Sequence, residues 1–445
     1  MSDPGSGEVG GRIRSGVLWK GVSQVTLQVA RLAVALVLAR LLAPEDWGLA
    51  AMVLLFTGFG VVFTDSALGT ALVQRRTIGE LDRSTVFWTN AGVGLVLALV
   101  GVACAGPLAS FYGEPEVESL FVAVSIGFLV TSLGTTHLAL LTREMSFRKL
   151  ELRQIAATAA GAATALTLAL AGHGPWAIVG LSLGEAAAST VLLWLLTPWR
   201  PRLVFSPATL RRLAGFAGNV FGENVVYQAG RSLPPLLIGR VLGPAALGAF
   251  TLATTAILVP FARLAAPLQQ VFFPAFAQIV DDRARMADIW IRATRLIAAI
   301  SVPALVGLVI VAPEFVQVVL GPKWDEATTV IQVLAIVGAI QSVHTLNAEV
   351  LLALGRASTL VRYTALWFVA TVAAVAIGQR WELTGVAVAF AVATLLVEPV
   401  RAVLTTRALG IPLSRFLRPL RGVAEVVDID PDTNRVPSLA PRSDD

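Results

Sequence analysis

The sequence predicts an all-α polytopic membrane protein with twelve transmembrane helices in two parallel six-helix repeats. Three observations predict this fold class: long apolar runs, basic-rich loops that alternate with basic-poor ones, and a phrase that recurs 200 residues later. Of the 445 residues, 56% are apolar and 14% are charged, whereas a soluble domain has about 25% charged residues. The composition therefore excludes an ordinary soluble protein.

The apolar residues lie in twelve runs separated by short charged segments. Each run has about 20 residues or more, the length that a helix needs to cross roughly 30 Å of hydrocarbon. Because backbone polar groups cannot be left open to lipid, these runs are predicted to be helices. They lie near residues 16–40, 47–72, 84–106, 119–142, 152–172, 175–197, 213–238, 247–276, 290–313, 328–354, 359–379 and 384–406.

The basic residues predict the orientation of the chain. With the N-terminus in the cytoplasm, 27 of the 34 Lys and Arg residues fall in cytoplasmic segments, and the outer loops hold four. This is the positive-inside pattern, so both termini are predicted to be cytoplasmic. It explains the basic charge without nucleic-acid binding. The predicted division is a cytoplasmic segment at 1–14, a six-helix bundle at 15–200, a cytoplasmic linker at 201–212, a second bundle at 213–410, and a cytoplasmic tail at 411–445. The acidic composition of residues 425–445 predicts disorder in this tail.

The chemistry-bearing residues do not predict an enzyme, a metal site or a cofactor. Cys104 is the single cysteine, and the three histidines are far apart in sequence, so neither a disulfide within the chain nor a metal cluster is expected. The GxxxxGK[ST] motif of ATP binding is absent. A membrane glycosyltransferase would carry paired carboxylates, but the acidic outer loop GEPEVES (113–119) has no recognisable catalytic spacing.

The repeated phrase predicts that the chain is an internal duplication. LARLLAPEDWG at 38–48 matches LIGRVLGPAALG at 237–248 with an offset of 200, and the match extends back to residues 24 and 224. Each copy would hold six spans, so both would start on the same side of the membrane. A pseudo-two-fold axis along the membrane normal and a substrate site between the halves are then expected.

Three arginines lie inside predicted spans and are candidates for substrate binding. Arginine at mid-membrane costs about 2.5–3.5 kcal/mol, so such a residue usually faces a bundle interior or a wet cavity. Gln and Asn side chains precede two of these arginines at helical spacing, so that arginine and amide form a polar stripe on one face of the helix. Either substrate contacts or hydrogen bonds between helices would explain these amide side chains. The candidate substrate-binding residues are Arg31, Arg231, Arg263, Gln28, Gln228, Gln24 and Asn224. By contrast, Arg40 and Arg240 stand at the ends of predicted helices. They are expected to act as interfacial anchors or to interact with the dipole at a helix C-terminus.

Acidic residues in or near the spans are candidates for coupling transport to an ion gradient. Each of them could also be a structural residue paired with an arginine. They are Asp65, Glu185, Glu223, Glu349 and Glu398.

Several tryptophans are predicted to lie at the membrane interface. Indole rings favour the headgroup region, and these residues stand near predicted helix ends. They are Trp19, Trp47, Trp88, Trp176, Trp194 and Trp290.

The motifs and their order resemble a known family. The repeated phrase is joined by DSALGTALVQRR (65–76), STVFWTNAGVGL (84–95), LLTREMSFRKL (140–150), GHGPWAIVG (172–180) and LLIGRVLGPAALGAF (236–250). Over residues 15–410 the chain resembles the polysaccharide transporter, or oligosaccharide flippase, family of the multidrug/oligosaccharidyl-lipid/polysaccharide exporter superfamily, in particular the colanic acid and teichuronic acid exporters. Members commonly have an acidic residue before LLIG; here Pro234 and Pro235 stand there and predict a kink or break.

The resemblance implies both a function and an architecture. It implies a V-shaped, MATE-like bundle in the cytoplasmic membrane of a bacterium. It also implies export of a polyprenyl-diphosphate-linked oligosaccharide by alternating access, with the lipid-linked glycan and membrane lipid as partners and with glycosyltransferases and a polymerase in the same pathway. A multidrug exporter of the same superfamily and a lipid II-type flippase are the alternatives. Cationic drugs call for acidic cavity residues, so the arginines weigh against the first alternative.

Overall fold

A computed structural model describes residues 26–64, 77–258 and 272–418, together with a few isolated positions between them (69, 72, 73, 75 and 269). Within these residues the structure is helical. The first helices, in chain order, are α1 (26–41), α2 (Pro44–Leu54), α3 (Thr57–Thr64), α4 (Glu80–Tyr112), α5 (Glu116–Arg143), α6 (Phe147–Leu170), α7 (Trp176–Leu196) and α8 (Pro207–Ala253).

The helices continue through the second part of the chain. They are α9 (272–278), α10 (Arg283–Phe315), α11 (Ala327–Val343), α12 (Asn347–Ala353), α13 (Ala357–Gly378), α14 (Glu382–Leu409) and α15 (413–418). Short π-helical turns follow α8 at Thr254–Leu258 and α10 at Val316–Leu320. Single 3₁₀ turns cover Pro322–Trp324 and Gln379–Trp381.

Seven helical stretches in the described parts of the chain are long and apolar enough to cross a membrane. The predicted class, an all-α membrane protein with several spans, is therefore confirmed. The seven stretches are Glu80–Tyr112, Glu116–Arg143, Trp176–Leu196, Ser232–Ala253, Arg283–Leu320, Ala327–Ala353 and Ser358–Leu409.

The fold divides into two compact units. The first draws its described residues from 1–256, 313–331 and 371–390, and the second from 257–312, 332–370 and 391–445. Neither unit is continuous in sequence, because the ends of α10 and α13 and the starts of α11 and α14 belong to the first unit. The predicted division into two sequence halves stays a prediction.

Helix α8 breaks at a glycine and not at the predicted prolines. The backbone leaves helical torsions at Gly243, where φ is 82° and ψ is −176°. A positive φ costs glycine little, whereas a residue with a Cβ would be strained there. At Pro234 and Pro235 the torsions stay helical, since the φ that a proline ring imposes is close to that of a helix. The kink or break predicted at these prolines is therefore wrong, and the observed break lies in the interval 239–246 between two predicted runs.

The two copies of the repeated phrase touch each other in the first unit. An added Cβ at Gly48 would overlap the carbonyl of Pro244, and an added Cβ at Gly248 would overlap the carbonyl of Pro44. The contact is thus reciprocal: the glycine of each copy lies on the proline backbone of the other. Small residues allow membrane helices to approach this closely, so both glycines are needed where α2 crosses the last turns of α8.

Arg40 binds the C-terminus of another helix. Its Nε donates to the carbonyl of Val319 at 2.8 Å, and its Nη2 donates to the carbonyl of Val318, both in the π-helical turn after α10. In return, Lys323 Nζ and Trp324 Nε1 each donate to a carbonyl at the end of α1, at 2.8 Å. Side chains at the end of each helix thereby donate to carbonyl groups at the end of the other helix, which have no partner within their own helix.

Arg240 occupies the matching place in the second copy of the phrase. Its guanidinium lies over the ring of Phe111, 5.6 Å from the ring centroid, at the end of α4. A glycine with positive φ follows each of these helix ends, Gly113 after α4 and Gly321 after α10. Both arginines of the repeat therefore contact a helix C-terminus that ends at a left-handed glycine.

Two tryptophans predicted to lie at the membrane interface are buried. Trp47 packs edge-to-face on Trp324, with 6.2 Å between the ring centroids, and it is fully covered. Trp290 is stacked on Phe416 in the core of the second unit, and its Nε1 donates to Asn347 Oδ1 at 3.1 Å. The interfacial prediction is wrong for both, because proximity to a helix end does not tell which side of the helix faces lipid.

Candidate functional site

The structure pairs Arg31, a predicted substrate contact, with Glu185, a predicted coupling acid. Arg31 Nη2 lies 2.7 Å from Glu185 Oε1, which joins α1 to α7 in the first unit. The Arg31 side chain keeps 36% of its surface exposed and the Glu185 side chain 22%. The pair is therefore partly accessible. The carboxylate offsets the cost of placing a charged arginine in an apolar helix, and the guanidinium stays partly exposed.

Helix α6 supplies further donors to the same carboxylate. Glu185 Oε1 also accepts from Gln154 Nε2 at 2.7 Å and from Thr158 Oγ1 at 3.1 Å. Gln154 in turn accepts from Arg153 Nη2 at 2.7 Å, and Arg153 Nη1 donates to Ser189 Oγ at 2.9 Å. We call these six residues the Arg31–Glu185 network. Charge-assisted hydrogen bonds of this kind fix the orientation of both ions.

Sequence reasoning missed the α6 members of this network. Gln154 and Thr158 are one helical turn apart, which places them on one face of α6, and that spacing was a usable signal. Arg153 lies in the second turn of α6 and contacts α7. Its guanidinium interacts electrostatically with both Glu151 and Glu185.

Close helix contact makes the Arg31–Glu185 network possible. An added Cβ at Gly161 would lie 2.6 Å from the carbonyl of Leu181, and one at Gly184 would lie 2.7 Å from Thr164 Oγ1. The small residues of α6 therefore let α7 approach until Glu185 reaches the side chains of α6.

The predicted amide stripe has a structural contact at Gln228. Its Nε2 donates to Ser232 Oγ at 3.0 Å, and an added Cβ at Gly58 would overlap its side chain. Ser232 also donates to the carbonyl of Leu55 at 3.4 Å. The hydrogen bond of Gln228 thus stays within α8. Ser232 makes the hydrogen bond from α8 to Leu55, and the Gln228 side chain packs against Gly58 of α3. Gln28 is half-buried on α1, three residues before Arg31.

The remaining predicted residues lie partly or wholly outside the description. Gln24, Asp65 and Arg263 are outside the described residues. The backbone of α8 is described at Glu223, Asn224 and Arg231, but their side chains are not. The structure thus places neither Arg231 nor Arg263 relative to Arg31.

The second unit contains its own buried charged group. Glu398 and Glu349 are both buried, on α14 and α12. Arg401 Nη1 lies 3.8 Å from Glu398 Oε2, and its guanidinium is 5.3 Å from the Tyr363 ring centroid. Arg401 also interacts electrostatically with Glu349. This arrangement is an arginine shared by two carboxylates, the structural alternative that the sequence left open for these acids.

No group of three or more metal-binding side chains occurs among the described residues. A small cavity of about 180 Å³ lies between α3, α5 and α7, and its lining includes Thr57, Thr131 and Ser182. It is far too small for an oligosaccharide headgroup.

Comparison with known proteins identifies the family. A model of polysaccharide biosynthesis proteins matches residues 37–329, more than half of the chain. The chain belongs to this polysaccharide biosynthesis protein family. The resemblance that the motifs predicted is confirmed.

Relatives from three bacteria support the assignment. The chain is 27% identical to the lipopolysaccharide biosynthesis protein WzxC of Escherichia coli over 88% of its length and 79% of the relative's. It is 26% identical to the teichuronic acid biosynthesis protein TuaB of Bacillus subtilis, covering 78% and 72%. It is 28% identical to the succinoglycan biosynthesis transport protein ExoT of Rhizobium meliloti, covering 77% and 69%.

Solved structures confirm the predicted type of fold. The lipid II flippase MurJ in an inward closed conformation aligns with a TM-score of 0.73 at 14% identity, over 92% of this chain and 91% of the other. An inward-facing multidrug resistance MATE family transporter aligns with a TM-score of 0.68 at 13% identity, over 92% and 99%. At these identities the likeness shows a shared fold, that of the MurJ and MATE transporters.

Proposed function

We propose that this chain moves a polyprenyl-diphosphate-linked oligosaccharide, or a related polysaccharide precursor, across the cytoplasmic membrane by alternating access. The protein is a transporter and not an enzyme. Its family consists of polysaccharide biosynthesis proteins, and the relatives named above are two biosynthesis proteins, for lipopolysaccharide and teichuronic acid, and a biosynthesis transport protein for succinoglycan. A large anionic headgroup cannot cross hydrocarbon unaided, so a pathway of this kind needs a protein that gives the headgroup a polar route.

The observation that carries the proposal is the half-exposed Arg31 on an apolar helix. Glu185 occupies one face of its guanidinium through Nη2, and the fork of donors offers further N–H groups to a ligand. Arginine binds phosphate oxygens in this geometry. The Arg31–Glu185 network would then hold the guanidinium ready for a diphosphate, and an approaching diphosphate would compete with Glu185 for it.

The rest of the predicted site belongs to the same proposal. Arg231 and Arg263 would add positive charge, and Gln24, Gln28, Asn224 and Gln228 would bind sugar or phosphate oxygens. Glu185 would couple transport to an ion, because its occupancy by Arg31 would change when substrate binds. Asp65, Glu223 and Glu349 remain further coupling candidates.

We propose twelve spans in two parallel six-helix repeats, with both termini in the cytoplasm. The reciprocal contacts of Gly48 and Gly248, and the matching positions of Arg40 and Arg240, support a parallel duplication. The V-shaped arrangement stays a prediction. Glycosyltransferases and a polymerase of the same pathway would supply and consume the lipid-linked glycan.

A flipping assay in liposomes tests the proposal. The purified protein is reconstituted with a fluorescent polyprenyl-diphosphate oligosaccharide, and the fraction that an impermeant quencher reaches is followed in time. We expect Arg31→Gln to slow flipping at least tenfold and Arg31→Lys to keep part of the rate, because charge matters more than shape. Arg148→Gln, which removes an exposed charge at the start of α6, is the matched control.

The wild-type protein and the Arg31→Gln variant test two different claims in this assay. Wild-type protein that does not flip the diphosphate lipid overturns the proposed function. Flipping at the wild-type rate by Arg31→Gln overturns the site and leaves the function standing.

A further inference from the structure

The segment 197–206, which joins α7 to α8, is attached to the first turns of α4 through its backbone. The amide of Arg202 donates to Ser84 Oγ at 3.1 Å, and the carbonyl of Arg202 accepts from Trp88 Nε1 at 2.8 Å. Four residues on, the amide of Ser206 donates to Thr85 Oγ1 at 3.1 Å. These three hydrogen bonds fix both ends of the tripeptide 203–205.

The fixed tripeptide presents its apolar side chains outward. Leu203 is 89% exposed, Phe205 51% and Val204 40%. A loop whose backbone is held to the protein, with three apolar side chains turned away from it, does not contribute them to the protein core. Isolated exposed apolar residues are common, but three consecutive ones form a contiguous apolar surface. We call Leu203, Val204 and Phe205 the linker patch.

The three hydrogen bonds to α4 determine at which position along that helix the linker patch lies. At 33 residues, α4 is about 50 Å long at 1.5 Å per residue, whereas the hydrocarbon is roughly 30 Å thick. If α4 is centred, about 10 Å projects from each face. Ser84 and Trp88 stand about 6 and 12 Å from the start of the helix. The linker patch therefore lies level with the boundary between headgroups and hydrocarbon.

The charges around the linker patch indicate the kind of surface that it meets. Arg200 and Arg202 precede it in sequence, Arg211 follows it, and all three are exposed. Basic residues beside apolar side chains are typical of segments that bind a membrane surface, where each contributes attraction to anionic lipid. Trp88, 37% exposed, adds an indole of the type that favours the headgroup region.

We propose that the linker patch inserts into the headgroup region of the cytoplasmic leaflet and that its arginines bind anionic lipid. The segment between the two repeats is then a membrane-surface anchor and not a free cytoplasmic linker. The proposal rests on the proposed orientation, which places this end of α4 in the cytoplasm. It commits to lipid as the occupant, and a second copy of the chain or a protein partner is an alternative outcome of the test.

Spin-label accessibility measures the depth of the linker patch directly. Cys104→Ala removes the single cysteine, and one cysteine is then introduced and labelled in nanodiscs that hold one protein copy and phosphatidylglycerol. Leu203→Cys and, separately, Phe205→Cys report on the linker patch. Leu99→Cys, on the exposed face of α4, is the lipid reference, and Glu116→Cys, exposed at the start of α5, is the water reference.

We expect collisions with a water-soluble nickel chelate at positions 203 and 205 to be several-fold fewer than at 116, and oxygen collisions to lie between the two references. Nickel accessibility equal to that at 116 overturns the proposal, because the linker patch would be in water. Low accessibility to both reagents also overturns it, because the linker patch would then be covered by protein.

The lipid charge is tested in the same samples. Replacing phosphatidylglycerol by phosphatidylcholine should raise nickel accessibility at position 203, and Arg202→Gln should reduce that lipid dependence. This variant keeps the attachment, since only the backbone of Arg202 takes part in it. Equal depth in both lipids would remove the anionic-lipid part of the proposal. The depth of the linker patch in the membrane does not depend on transport. A negative result in this accessibility experiment can therefore be distinguished from a negative result in the flipping assay.

Discussion

Breaking the Arg31–Glu185 pair should measurably destabilise the first unit. Two unit charges at about 4 Å attract by about 4 kcal/mol at an effective dielectric constant of 20. The side chains are partly exposed, at 36% and 22%, so solvent screens much of that attraction. Exposed pairs contribute about 0.2–1 kcal/mol, and loss of one partner of a buried pair costs about 3–5 kcal/mol. We therefore expect a coupling of about 1–3 kcal/mol.

A double-mutant cycle isolates that coupling. Arg31→Gln, Glu185→Gln and the double variant are unfolded reversibly in mixed micelles, and the coupling free energy is the non-additive part of their unfolding free energies. Glu185→Gln keeps an oxygen that can accept from Gln154 and Thr158, so the cycle reports mainly the loss of charge. Arg148→Gln with Glu185→Gln gives the matched cycle without contact. A coupling below about 0.5 kcal/mol in the Arg31 cycle, equal to that of the control, would refute the reasoning.

Three further predictions concern packing and buried hydrogen bonds, and thermal unfolding of each purified variant checks them. Gly48→Ala should lower the unfolding temperature by several degrees because its Cβ overlaps backbone, whereas Gly92→Ala, with open space around the added Cβ, should not lower it. Trp324→Phe should cost about 1–3 kcal/mol, since it leaves the Ala39 carbonyl without its donor; an unchanged midpoint would show that water replaces the indole. Trp290→Phe keeps the stacked ring but orphans a buried amide oxygen, so a similar cost is expected, and a neutral effect would contradict it.

Hydropathy predicted where the helices lie but not where they end. The predicted run 84–106 lies inside α4, which continues to Tyr112 and ends at Gly113 in the left-handed conformation. Ser110 and Tyr112 near its end are not strongly apolar, so a hydropathy signal fades before the helix does. The glycine of the outer loop was the better marker of the helix end, because a positive φ favours glycine.

The type of residue at the site could be predicted from the sequence, but the partner with which Arg31 forms its ion pair could not. A charge in an apolar helix needs a polar neighbour, so Arg31 could be recognised from α1 alone. Glu185 is 154 residues away, and no local pattern connects the two. The break at Gly243 falls in the interval 239–246 that separates two predicted runs, at a position where a positive φ favours glycine.

Lipid selectivity in the liposome flipping assay tests the central claim most directly. Wild-type protein is reconstituted with a fluorescent polyprenyl lipid that carries one oligosaccharide through a diphosphate, and in parallel with the same lipid and sugar joined by a neutral link. The account predicts protein-dependent flipping of the diphosphate lipid and at least tenfold slower flipping of the neutral one, with the difference reduced in Arg31→Gln. Equal rates for both lipids, or export of a cationic drug with no flipping of the diphosphate lipid, would contradict it.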